Sequence, residues 1–399
     1  MRKTNPSRRI PRTVLIACVA LTVAVTGAPA LAAGPVSPAE TAKPAWHISQ
    51  LTPHASTAAA TTRIDAHTTW VSGMHLSGGS GENGFRPAIW ERDDRVGKGW
   101  RELPIDASPL HDTRFNDVDA SGGGNALTVG DYSEKAGGIV TQRLSGGKWR
   151  TVIAPSSRDS VSSGLLSVES LSPRNGWAVG WDQIPSPDGS RHVGQIQHWD
   201  GRKWSRSALP DVGEGPEGGW QLTEVAAHNS RSVWAVGGTF SAAGAEPLVL
   251  RYDGAAWKKV TLPAIGERAQ LNAVTAAPDG TVWAVGEVGP RFGPSAGLAL
   301  RYDGKKWTRA ALPQGTGALQ SVTFSRGVPV VLAQAEDWTP SVLQRAGKGW
   351  KQLDLPTTVG GSRLAGLNIS GHGRTLDVGG ALIGPNGEAG PAVVLTARR

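Results

Sequence analysis

Residues 281–313 read TVWAVGEVGPRFGPSAGLALRYDGKKWTRAALP, and the reading of this stretch decides the fold. An apolar run ends at Val285-Gly286, a Gly/Pro-rich loop follows, and a second run, LALRY, leads into Asp303-Gly304. Asp-Gly between two strand-like runs predicts a hairpin with a type I′ turn, because that turn requires positive φ at both central residues. Beyond the turn, Trp307 opens a last run that Leu312-Pro313 stops.

The unit recurs. Clear copies are 232–263 (SVWAVGG … LVLRYDGAAWKKVTLP) and 176–210 (GWAVGWD … IQHWDGRKWSRSALP). Weaker copies at 68–104, 125–155 and 327–356 keep only the ends. The last-strand tryptophans are Trp46, Trp100, Trp149, Trp204, Trp257, Trp307 and Trp350, spaced 54, 49, 55, 53, 50 and 43 residues apart. A period near 50 with several short strands per unit is the signature of a β-propeller. Each unit reads as four strands: A, alternating, as in QLTEVAAH (221–228); B, the xVWAVG run; C, the LxLRYDG run; and D, the WxxxxLP run. Period-two alternation fits sheets packed on both faces.

The two ends complement each other. The final unit has strands A (363–370), B (374–380) and C (391–397) and no D, whereas PAWHISQLTP (44–53) is a D strand with no unit before it. The expectation is an all-β, seven-bladed β-propeller of four-stranded antiparallel blades. Its 3+1 closure has the N-terminal strand (44–53) completing the last blade (363–397) and removing an open edge. The Ala/Thr segment 55–62 is expected to be a loop.

Residues 1–33 read as a signal peptide. Arg2, Lys3, Arg8, Arg9 and Arg12 form a basic start, VLIACVALTVAV an apolar core, and Ala30-Leu31-Ala32 a cleavage site. The core is about half a bilayer span, which favours cleavage over anchoring. Two other readings stay open. Ser7-Arg8-Arg9 resembles a twin-arginine signal apart from Pro11, and Leu15-Ile16-Ala17-Cys18 resembles a lipobox. Residues 34–43 form a flexible lead-in, and 44–399 a single propeller domain. The formal charge of +8 includes five basic leader residues, leaving 36 basic against 33 acidic residues and no case for nucleic-acid binding. Cys18, the sole cysteine, departs with the leader, so the expected secreted chain has neither disulfide nor thiol chemistry.

Residues that repeat are explained by the fold. A Trp at one place in every D strand reads as a wedge between sheets, contributing roughly 1.5–3 kcal/mol of burial, with its indole N–H finding a carbonyl. Trp70, Trp177, Trp234 and Trp283 in strand B read the same way, and Asp200, Asp253 and Asp303 read as hairpin residues. The glycine-ending strand B (doubled at Gly237-Gly238 and Gly379-Gly380), followed by Tyr-Asp, Trp and Leu-Pro, resembles the kelch repeat of galactose-oxidase-type propellers. Tyr252 with Trp257 and Tyr302 with Trp307 fit it best. Most units carry one glycine after the valine, and only two carry the tyrosine. The resemblance implies a divergent kelch-like propeller, similar to exported actinobacterial ones. Galactose-oxidase copper chemistry needs a cysteine-modified tyrosine, which the mature chain lacks. Fold resemblance carries no function.

Chemistry is sparser. The nine histidines are scattered without zinc spacing, no Gly-x-Ser-x-Gly elbow occurs, and Ala277-Pro278-Asp279-Gly280 reads as a turn rather than an Asp-box. Non-repeating loop residues are the ligand-binding candidates: Asp131, Tyr132 and Glu134; Trp181 and Asp182; Trp220; Arg291 and Phe292; Glu336, Asp337 and Trp338. Aromatics beside carboxylates suit sugar recognition. No cofactor is expected, although Asp117, Asp119, Glu169 and Glu224 in strand A leave room for a channel Ca²⁺. The leading expectation is a secreted, monomeric, non-catalytic binding propeller whose loop face recognises an extracellular polysaccharide or protein, with no nucleic-acid or membrane partner. The alternatives are a secreted glycoside hydrolase or polysaccharide lyase, or an assembly subunit of an extracellular complex. Paired carboxylates would favour the enzyme.

Overall fold

The computed structural model describes residues 46–398 apart from 77–83, 98, 107–111, 123, 134–136, 188, 214–217, 242–243, 267 and 291–292. The elements described are β-strands, paired antiparallel. Five sheets have four strands each and one has eight. The fourth sheet shows the plan: Gly219–Asn229 is strand A, Ser232–Ser241 B, Gly244–Tyr252 C and Trp257–Lys259 D. Sequence runs and strands coincide because each apolar run is buried on both faces. Val233, Trp234, Ala235 and Val236 of strand B are all fully enclosed.

The eight-stranded sheet departs from the four-strand expectation. Its cause is one long strand, Trp46–Arg63, used twice. Trp46–Gln50 pairs with Val393–Ala397, and Ser56–Arg63 pairs with Thr69–His75. The Ala/Thr segment expected as a loop is therefore strand. Its small side chains (Ser56, Ala58, Ala60, Thr61) are buried. Strand A of each sheet lies against strand A of the next: Thr113–Ala120, Ser162–Ser172, Gly219–Asn229, Ala269–Ala276, Ala318–Ser325 and Ser362–His372 in turn. The last of these and the first both touch Trp46–Arg63.

Strand A is also bulged, and the bulge explains the glycine ending strand B. Register slips occur at Phe115/Asp117, Leu222/Glu224 and Leu271/Ala273. Facing them are Gly130, Gly237 and Gly286, where a Cβ would meet the carbonyl oxygens of Arg114, Gln221 and Gln270 at 1.9, 2.0 and 2.1 Å. The kink drives one backbone into the other, so only a residue without Cβ fits. In the sixth sheet Ala333 faces Leu319 at this register.

Four strand D tryptophans do wedge between sheets, against strand B of the sheet before. Trp70 meets Trp149, Trp177 meets Trp257, Trp234 meets Trp307 and Trp283 meets Trp350, at ring-centre distances of 5.3–5.9 Å. The expected carbonyl partner is a minority case. Trp350 donates to Ala311 O (2.9 Å) and Trp100 to Ser49 Oγ (2.9 Å), whereas the buried Nε1 atoms of Trp46, Trp149, Trp204, Trp257 and Trp307 have no hydrogen-bond acceptor. Aromatic and apolar neighbours fill the seam, leaving no room for a carbonyl, and tilted or edge-on ring packing takes its place in several seams. The Asp-Gly hairpins also differ from expectation. Asp303 to Lys306 form a four-residue loop in which only Gly304 has positive φ (93°), and Asp303 Oδ1 accepts both Lys305 N–H and Lys306 N–H at 2.9 Å. An Asx turn replaces the type I′ turn.

Where the terminal strands meet, charges lock the sheet. Asp377, 1% exposed, accepts Arg63 Nη2 at 2.8 Å and Nε at 3.0 Å on one oxygen and Thr396 Oγ1 at 2.6 Å on the other. Buried Arg92 reaches Asp94 at 3.3 Å. Removing one partner strands a buried charge, so Asp377→Ala is expected to lower unfolding free energy by about 3–5 kcal/mol in urea titration. Gly286→Ala is expected to destabilise by about 1–3 kcal/mol through overpacking, while the reverse change at the matching position, Ala333→Gly, removes roughly 1 kcal/mol or less.

Candidate functional site

An A strand is the edge strand of its sheet, and its outward N–H groups need acceptors. Side chains of the preceding A strand supply them. Asp117 Oδ2 accepts Val168 N–H (2.8 Å), Asp119 Oδ2 accepts Ser170 N–H (2.7 Å) and Glu224 Oε2 accepts Val274 N–H (2.6 Å). Glu169 takes Ala227 N–H in the same way. Further round, neutral groups do this work: Ser321 Oγ accepts Ile369 N–H (3.2 Å) and Asn368 Oδ1 accepts Thr61 N–H (3.1 Å). The four strand A acids thus cap backbone amides. Among the described residues no three His, Cys, Asp or Glu side chains are gathered to hold a metal.

Protein surrounds these acids, yet each keeps partial solvent contact. Burial pushes Asp117 up to about 6 and Asp119 up to about 7, with the Asp117 charge adding to the latter. Burial also raises Glu169 and Glu224 well above the carboxylate range, reinforced by neighbouring acids. A carboxyl raised in the folded state holds its proton longer than in the unfolded chain. The stability it contributes is complete below about pH 4 and is lost as pH rises through 6–7. Melting temperature is therefore expected to fall from pH 6 to pH 8, and Asp119→Asn to reduce that fall, as differential scanning calorimetry would show.

Among the described candidates, Asp131 and Tyr132 end a strand B, Trp181 and Asp182 lie within one, Trp220 begins a strand A and Glu336 to Trp338 follow a strand B, and the structure separates their roles. Asp182 is fully buried, accepting Ser163 Oγ at 2.6 Å and pairing with Arg206 at 2.6 Å. Asp131 is buried and clamped by Arg114 (2.9 Å) and Asn116 (2.8 Å). Trp220 is buried against Gly194. These three sit within strands and serve packing, which corrects their reading as loop residues. Trp181 is half-buried and stacks on His192 (4.7 Å, 16°), an imidazole that burial holds below its usual range. Tyr132, partly exposed, covers Gly138. Glu336 and Asp337 are exposed. Trp338 is half exposed at φ 69°, in a turn where Asp337 Oδ1 accepts Thr339 N–H and Trp338 N–H donates to Ala335 O. A bulky residue in left-handed conformation is strained, and strain of this kind concentrates at functional sites. Arg291, Phe292 and Glu134 lie outside the described residues.

None of these residues lines the cleft where titratable groups converge. That cleft, about 540 Å³, lies between 52–55 of the long first strand and His75, Leu76, Arg86 and Glu102. His75 Nε2 is 2.9 Å from Glu102 Oε2, and Arg86 Nη1 is 2.7 Å from Oε1. Trp90 meets the imidazole edge-on at 5.2 Å. Burial alone would raise the Glu102 pKa, but the hydrogen bonds from Arg86 and His75 outweigh it and hold the carboxyl below its usual range. His54 forms the opposite wall. Sequence reading missed all four polar residues, which come from separate strands. The one signal was the acid Glu102 in a D strand, where other units carry Lys, Arg or neutral residues.

No family model matches the chain, and no curated protein matches it in sequence. Solved structures resemble it in fold. A polysaccharide lyase of family PL25, an ulvan lyase bound to -[GlcA(1-4)Rha3S]-, superposes with a TM-score of 0.59 at 10% identity, covering 86% of this chain and 94% of that one. A Penicillium chrysogenum α-L-arabinanase complexed with arabinobiose gives 0.50 at 14%, covering 89% and 99%. A Dyadobacter fermentans protein of unknown function gives 0.52 at 12%, covering 88% and 98%. At these identities the likeness is one of fold: all-β and β-propeller-like.

Proposed function

We propose that this chain is a secreted carbohydrate-active enzyme that cleaves an acidic polysaccharide in the cleft containing His75, Glu102, Arg86 and His54. One observation carries the reading, the His75–Glu102–Arg86 chain at 2.9 and 2.7 Å. The glycan-active enzymes among its fold neighbours favour this reading over a non-catalytic binder. An ionised Glu102 accepts the Nε2 proton, so His75 Nδ1 is left as the base. Arg86, largely exposed, can meet a uronate carboxylate. In the elimination, His75 takes the proton from the carbon beside that carboxylate, and the C–H electron pair forms the new C=C bond. The glycosidic oxygen then leaves with a proton from His54 or solvent.

In this reading residues 1–33 are a cleaved signal and 34–43 a lead-in, and the exported monomer is a kelch-like, seven-bladed propeller. Trp46–Gln50 completes the last blade in 3+1 closure, and Ser56–Arg63 opens the first. Supporting this are the pairing Trp46↔Ala397 and the unbroken succession of strand A contacts. A polysaccharide-binding role without turnover is the second reading, favoured by the exposed, strained Trp338.

Release of unsaturated uronate from uronate-containing polysaccharides, followed by ultraviolet absorbance, tests the proposal. His75→Gln and Glu102→Gln are each expected to lower kcat about 10²–10⁴-fold with the fold intact by circular dichroism. Unchanged turnover in both variants would remove the cleft from the chemistry. Retention on the polymer with no product from the wild-type protein would favour the second reading.

A further inference from the structure

We infer that the seam between the fourth and fifth sheets is a second carbohydrate site, taking an anionic sugar that carries a carboxylate or sulfate. It lies at the opposite ends of the strands from the catalytic cleft and does not depend on that reading. A cavity of about 400 Å³ opens there, within the range of small-ligand sites. Its floor is aromatic: Trp234 from one sheet meets Tyr302 (5.0 Å) and Trp307 (5.6 Å, 78°) from the next. Around it stand three cations, Arg251, Lys305 and Lys306, and no Asp or Glu lines it. The Arg251 guanidinium lies 5.0 Å over the Trp234 ring, and its buried Nε has no hydrogen-bond partner. The Lys305 and Lys306 side chains are exposed, and the nearby Asp303 is occupied by their backbone N–H groups.

Comparison with the neighbouring seams separates structure from function. Between the third and fourth sheets the aromatics recur as Trp177, Tyr252 and Trp257. There, however, His198 stands where Arg251 does in the strand B–strand C register, and Ala255-Ala256 replace Lys305-Lys306 in the hairpin. One seam earlier, Arg202 and Lys203 are present but Leu127 replaces the strand B tryptophan. Packing needs the rings and is satisfied without the cations. The combination at 234–307 suits a ligand with an apolar ring face and a negative substituent, the face resting on half-buried Tyr302 and the charge on the cations.

Calorimetric titration with oligogalacturonate, a sulfated oligosaccharide and a neutral oligosaccharide tests this. The proteins compared are the wild type, K305A/K306A and the cleft variant H75Q/R86A. The two lysines are exposed and form no salt bridge among the described residues, so their removal is expected to leave folding and cleft turnover unchanged. The site is expected to bind one anionic oligomer in H75Q/R86A. K305A/K306A is expected to weaken that class of site about tenfold, equal to about 1.4 kcal/mol, and added salt to weaken it in the wild type. Equal affinity and stoichiometry in K305A/K306A and wild type would overturn the site, as would equal binding of the neutral oligomer. Competition by inorganic sulfate at the same concentration as the oligosaccharide would overturn the sugar assignment. Failure of the cleft proposal alone would leave the lysine-dependent binding in place.

Discussion

The unpaired edge of the strand A backbone is the constraint around which this protein is arranged. A strand with a free row of N–H groups must be answered by another chain, by water or by side chains. Here the answer comes from the neighbouring sheet: Asp117, Asp119, Glu169, Glu224, Ser321 and Asn368 each reach across to an amide of the following A strand. These bonds tie one sheet to the next near the bulges, where Asn116, Thr223 and Asn272 also donate to Leu165 O, Leu271 O and Leu319 O of the following A strands.

The two chemistries used for that task are not equivalent. Ser321 and Asn368 cap amides without charge, whereas the acids do so at the expense of desolvating carboxylates that also repel one another. Backbone N–H donors favour the charged form and burial opposes it, and here burial wins. Those acids are thus occupied by architecture and are not the free pair a hydrolase would need. The cleft shows the reverse balance, with Glu102 held anionic by Arg86 and His75. That contrast is why the proposed chemistry is drawn in the cleft rather than among the strand A acids.

Legibility in the sequence followed repetition. Trp307, Gly286 and Pro313 recur because every seam, bulge and strand end poses the same steric problem, so strand order and length could be read from a single chain. Features that occur once could not be read. The segment STAAATT looks like a linker because its residues are small, and only the partner strand Thr69–His75 makes it a strand. The indole N–H groups were assigned carbonyls on general grounds, but the seam is lined by other rings. Asp182 and Asp131 resemble sugar ligands by type, and the arginines that neutralise them, Arg206 and Arg114, are distant in sequence. His75, Arg86 and Glu102 fall on three strands, and nothing in their spacing announces that they meet.

The double use of Trp46–Arg63 has a consequence for how the molecule is made. Trp46 and its partner Ala397 lie about 350 residues apart, so the first half of this strand is made long before the strand it pairs with. The segment that binds the two ends must wait for the whole chain before half of its hydrogen bonds exist. Such pairing across nearly the full length closes a very long loop, which slows assembly. Until then Trp46–Gln50 is an unsatisfied edge. The strand Ala389–Arg398 therefore acts as the latch, and loss of a few of its residues would leave the strand Trp46–Arg63 half unpaired.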